Sequence, residues 1–67
     1  MTQKAIIDGV RDGVAVCRSN AIQYRELAEK ETGALRAQLQ ERADGQEFQA
    51  DLLEDWLKTQ PTQTEEQ

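Results

Sequence analysis

Placed at about 100° per residue, Ile6, Val10, Val14, Cys17, Ala21, Tyr24, Leu27, Ala28, Leu35 and Leu39 fall on one helical face. The face keeps its phase for about ten turns and predicts a single helix over about residues 3–43. Such a helix is roughly 60 Å long at 1.5 Å per residue. A second amphipathic segment follows over about residues 46–60, with Phe48, Leu52, Leu53, Trp56 and Leu57 at helical spacing. It spans only roughly 22 Å and, folded back, reaches only about residues 28–43. The apolar face from Ile6 to Tyr24 is then bare. The expected fold is all-α: a long helix plus a short antiparallel helix, a helical hairpin that completes its core by homodimerisation.

Local signals mostly agree with this division. Thr2 is a candidate N-cap, because its hydroxyl can accept from the open N–H groups of the first turn. The stretch 5–17 is rich in β-branched residues and holds two Asp-Gly dipeptides, which also suits a β-hairpin with strands near 5–7 and 14–17. Phase favours the helix: a hairpin gives no reason for Ile6, Val10, Val14 and Cys17 to share a face with Tyr24, Ala28, Leu35 and Leu39. The repeat is closer to eleven residues than to seven (Ile6, Cys17, Ala28, Leu39), which suits a nearly straight or slightly right-handed helix pair. Gly33 reads as a tolerated helical glycine or a slight kink, since the face continues across it. The break is expected at Ala43-Asp44-Gly45, where Asp44 and Glu47 match a capping box. Pro61 closes the domain of residues 1–60, and the acidic tail 61–67 has nothing apolar to bury and is expected to be disordered.

Charge adds an asymmetry to the pattern. Residues 1–40 carry Lys4, Arg11, Arg18, Arg25, Lys30 and Arg36 against Asp8, Asp12, Glu26, Glu29 and Glu31. Residues 41–67 carry only Arg42 and Lys58 against eight acids, so the net charge of −5 lies in the C-terminal part. An antiparallel return brings unlike halves together, although exposed ion pairs bias a pairing more than they hold it.

Composition excludes several classes. The 67 residues form one domain that is small for an independent core, for which oligomerisation is a common remedy. Cys17 is the sole cysteine and there is no histidine, so neither a disulfide framework nor a Cys/His metal cluster is available, and a cytoplasmic location is the default. No apolar run approaches the length of a membrane span or a signal-peptide core. No phosphate-binding glycine loop, metal cluster or nucleophile–base pair appears, so the expectation is a non-enzymatic protein without cofactor.

What remains are surfaces. Ile6, Gly9, Val10, Gly13, Val14, Cys17, Ala21 and Tyr24 are the candidates for self-association. Among them Gly9, Gly13, Cys17 and Ala21, with Ala5, form a ridge of small residues four apart that admits a close helix crossing. Cys17 reads as a small hydrophobe on that face. Arg11, Arg18 and Arg25 continue a seven-residue stripe begun by Lys4, expected to lie opposite the apolar face, where it meets an acidic partner or phosphates. Interspersed acids and the lack of aromatic residues among the arginines argue against nucleic acid. Phe48 and Trp56 carry the largest apolar area of the second segment; core packing is the first reading for them, and they are also the candidate protein-binding anchors. The expected function is a small regulator or adaptor that binds itself and another protein through helical surfaces, with a nucleic-acid-binding hairpin dimer as the alternative.

Overall fold

The computed structural model describes residues 2–60 as two helices, α1 (Gln3–Glu29) and α2 (Gly33–Lys58), of 27 and 26 residues. They fold back on each other as an antiparallel hairpin. Gln3 Nε2 at the start of α1 donates to Gln60 Oε1 beyond the end of α2 at 2.8 Å, and Arg25 near the end of α1 reaches Asp44 at 2.9 Å. Residues 5–17 are helical, as phase required, and Thr2 Oγ1 caps α1 by accepting from the Ala5 N–H at 3.1 Å.

The division into a long and a short helix is corrected. α1 stops at Glu29, and the chain reverses through Lys30, Glu31 and Thr32 into Gly33. Lys30 N–H and Glu31 N–H close the last turn by donating to Leu27 and Ala28 carbonyls at 3.0 and 3.1 Å. Gly33 has φ of +64°, in the left-handed region that a Cβ makes costly, and this conformation turns the chain into α2. Asp44 and Gly45 lie inside α2. The expected break at Gly45 does not occur because tertiary contacts on both sides hold the helix: Ala43 and Ala50 are buried, and Asp44 and Glu47 both bind Arg25. The intrinsic cost of a helical glycine, about 1 kcal/mol against alanine, is too small to end a helix so held.

With helices of nearly equal length, α2 covers the face of α1 that the shorter return leaves bare. The inward residues of α1 are Ile7, Val10, Val14, Cys17, Ala21, Tyr24 and Ala28; those of α2 are Leu39, Ala43, Gln46, Ala50, Leu53 and Leu57, with Gln60 continuing the row just beyond its end. Their spacing alternates three and four, the heptad seam of a two-helix coiled coil, and the eleven-residue repeat is corrected accordingly. Ile7 is buried at 4% exposure while Ile6 stands at 42%, so the seam follows 7-14-21-28 and leaves position 6 outside. Ile7, Val14, Ala21 and Ala28 are termed a and Val10, Cys17 and Tyr24 d; Ala43, Ala50 and Leu57 are a′, and Leu39, Gln46, Leu53 and Gln60 d′.

Small side chains fill this seam. Ala43 and Ala50 are at 0% exposure, Ala21 and Ala28 nearly so, and none of the larger side chains among the described residues is completely buried. Val14, Cys17 and Ala50 form the centre, with Leu53 and Leu57 packed against them. Gly13 adds to the close fit, since Leu53 Cδ1 lies 3.6 Å from where its Cβ would be. Asn20 Nδ2 donates to Gln46 Oε1 at 3.3 Å, a hydrogen bond between the helices at the edge of the seam.

Candidate functional site

The heptad positions flanking the seam divide the hairpin into two unlike sides. On one side lie e and b, and e′ and b′. Here Arg18 binds Glu54 at 2.6 Å and Asp51 at 3.3 Å, and Arg25 binds Asp44 at 2.9 Å and Glu47 at 3.0 Å. A step of seven residues up α1 meets a step of seven down α2, so the two clusters repeat the same arrangement. Hydrogen bonding to Glu54, then to Asp51, raises the Arg18 guanidinium above its ordinary pKa, against desolvation, which lowers it. Glu47 and then Asp44 do the same for Arg25. A cation with a raised folded-state pKa stabilises the fold fully below its ordinary pKa and loses that contribution only above it. For arginine that loss lies in strong alkali, so these guanidinium groups act as fixed cations.

The basic stripe therefore does not lie opposite the apolar face. Arg18 and Arg25 flank the seam and are each held by two carboxylates of α2. Lys4 and Arg11 bind Asp8 within α1, at 2.9 and 3.5 Å.

The other side carries c and g, and c′ and g′. It collects Ile6, Val16 and Leu27 from α1 with Leu35, Leu52 and Trp56 from α2, all exposed. Its remaining helical positions are Gly9, Gly13, Asn20, Gln23, Gln38, Gly45, Gln49 and Arg42, so among the described helical residues Arg42 is its one charge. Phe48 stands next to it at f′, 65% exposed; Ile22 is the exposed large apolar residue on the charged side. By register Val16 and Leu52 lie level with each other, and Ile6 and Trp56 lie toward the open end of the hairpin.

Of the residues expected to mediate self-association, Val14, Cys17 and Ala21 are buried inside the hairpin, and Val10, Gly13 and Tyr24 are half-buried along it. They pack the chain against itself. Ile6 and Gly9 are exposed on the apolar side. Phe48 and Trp56 face outward with Leu52, which corrects the reading of them as core, while Leu53 and Leu57 of the same segment turn inward. Sequence reasoning does not single out Val16, Leu27 and Leu35 as binding residues. The seven-residue phase of Ile7, Val14, Ala21 and Ala28 is the signal that assigns them to the outside.

Among the described residues no group of three His, Cys, Asp or Glu side chains is placed to hold a metal ion, and no polar side chain is buried. No helix is long and apolar enough to cross a membrane. Compared with protein-family models, curated proteins and solved structures, the chain matches none.

Proposed function

We propose that this chain is a small non-enzymatic regulator or adaptor that works by binding another protein through the c/g side of its helical hairpin. One observation carries the reading: the seam is closed with alanines while Ile6, Val16, Leu27, Leu35, Leu52 and Trp56 remain outside on a side that bears a single charge among the described helical residues. Intramolecular packing accounts for the small residues and not for the large ones. Extended exposed apolar patches on a small protein mark interaction sites. The nucleic-acid alternative draws no support from Arg18 and Arg25, whose charge is directed at four carboxylates of α2. A reducing cytoplasmic setting fits Cys17, a free thiol in the seam.

The homodimer expected from an uncovered α1 face loses that ground, because α2 covers it. A second copy is then one occupant among others for the c/g side. The test uses Val16→Glu and Leu52→Glu, each exposed and outside the seam. Both variants should keep the helix content and melting temperature of the parent and lose capture of the host partner that the parent chain retains. Unchanged capture by both variants would remove the c/g side as the working surface.

A further inference from the structure

The turn between α1 and α2 is poorly marked as a place where helices end. Thr32, at the N-cap of α2, makes no side-chain capping hydrogen bond, and the first turn of α2 holds Arg36 and no acid. The last turn of α1 holds Glu26 and Glu29 and no base. Each of these charges opposes the dipole of the helix end on which it stands. Lys30 and Glu31, in the turn itself, are good helix formers. Phase points the same way. Ala28 closes the inward row of α1 and Leu39 opens that of α2, eleven residues further on, and eleven residues make three turns of a nearly straight helix. Were residues 30–33 helical, the two inward rows would join on one face, with Leu35, 48% exposed in the hairpin, between them. A chain that only turned back at this point would not need that phase. We propose that the hairpin exchanges with an extended antiparallel dimer of this chain, in which α1 and α2 run on through residues 30–33 as one helix and the seam forms between two copies.

The exchange keeps the contacts of the hairpin. Val14 and Leu53, and likewise Cys17 and Ala50, pack in one cluster and stand at equal distances along the chain from the Gly33–Ala34 bond. Two extended copies aligned antiparallel about that bond therefore remake these pairs, Val14 of one against Leu53 of the other. The arginine clusters follow, with Arg18 meeting Glu54 and Asp51 of the second copy. Identical elements traded between copies make a dimer at low cost, and a short constrained turn invites the trade. What differs is the turn. The dimer gives up the φ of +64° at Gly33, removes the two helix ends with unfavourable charges, and brings Leu35 onto the seam. The hairpin keeps the advantage of a partner helix in its own chain, an effective concentration on the order of millimolar. The parent is thus a hairpin in dilute solution and gains dimer as its concentration approaches that value. This second copy occupies the seam and not the c/g side, so the exchange stands or falls apart from the docking reading above.

The test is Gly33→Ala in the full chain, which penalises the turn and favours a continuous helix. Sedimentation equilibrium should find this variant dimeric at concentrations at least about a hundredfold below those the parent needs, with helix content no lower. Its urea midpoint should rise with protein concentration, as a two-chain state requires. In a sample mixed from differently labelled copies, the NOE between Val14 and Leu53 should cross between chains. A Gly-Ser-Gly insertion between Glu31 and Thr32 relaxes the turn and should keep the chain monomeric, with the same NOE inside one chain. A folded Gly33→Ala chain that stays monomeric up to millimolar concentration would overturn the swapped dimer. So would a dimer whose between-chain NOEs join Val16, Leu52 and Trp56 while Val14 and Leu53 stay paired within a chain, since that copy is docked on the c/g side. Should Gly33→Ala fail to fold, the parent decides: at millimolar concentration it should show between-chain Val14–Leu53 NOEs that the insertion variant lacks, and their absence from both would overturn the exchange.

Discussion

Gly33 and Gly45 are the same residue in opposite circumstances, and they predict opposite responses to one methyl group. At Gly33 the backbone sits at φ +64°, where any L side chain meets its own carbonyl, so Gly33→Ala should destabilise the hairpin by about 1–2 kcal/mol. At Gly45 the backbone is helical and nothing packed against it lies within 4 Å of where a Cβ would stand, so Gly45→Ala should stabilise by about 1 kcal/mol. Urea melts of the two variants check both signs, and stabilisation by Gly33→Ala would remove the turn from residues 30–33. Thr2 belongs to the same scale. Its Oγ1 accepts from Ala5 N–H, and Thr2→Ala should cost about 1 kcal/mol if α1 frays as part of the cooperative unit.

At the scale of the helix, alanine sets how closely α1 and α2 approach. Ala43 and Ala50 are at 0% exposure, so a leucine at either place must push the helices apart or find an unfavourable rotamer. Ala50→Leu should therefore destabilise by about 1–3 kcal/mol, whereas Ala37→Leu, at an exposed b′ position, should stay within about 0.5 kcal/mol of the parent. Thermal melts that show the two substitutions alike would contradict the close seam. Helix identity was legible in the sequence because phase is carried by many residues at once, and it correctly outweighed the two Asp-Gly dipeptides. The turn was not legible, because the apolar face continues in phase across Gly33 while the cap chemistry at Asp44 marks a different place. Asp44-Gly45-Gln46-Glu47 has the local chemistry of a cap, but its side chains are engaged by Arg25 and Asn20 across the hairpin. Those partners lie 19 to 26 residues away and leave no mark in a short window. The seam is legible in part: Val10, Val14, Cys17, Ala21, Tyr24, Ala28 and Leu39 lie on the expected face and turn inward, whereas Ile6, Leu27 and Leu35 of that face are exposed and Ile7 is buried instead.

For the molecule as a whole, the proposed function assigns stability and binding to different sides of the hairpin. The e/b side joins α1 to α2 through Arg18 and Arg25, and the c/g side leaves its large apolar residues outward. This separation was hidden from sequence because the seven-residue arginine stripe and the apolar residues gain their meaning only after the register is known. Arg18→Glu with Arg25→Glu places like charges against Glu54, Asp51, Glu47 and Asp44, so the double variant should melt at a lower temperature, more so at low salt, where repulsion is unscreened. While folded, it should bind the partner of the c/g side as well as the parent does. Trp56→Ala should behave in the reverse manner. Trp56 sits at g′, outside the alanine seam and 39% exposed, so truncating it removes an anchor from the docking side and little from the core. Partner affinity should fall by about 2 kcal/mol, as for an interface hot spot, with the melting temperature nearly unchanged. Titration calorimetry beside thermal melts for both variants reads the two quantities independently. A double arginine reversal that abolishes binding in the folded protein, with Trp56→Ala lowering only the melting temperature, would exchange the roles of the two sides and make the charged one the working surface.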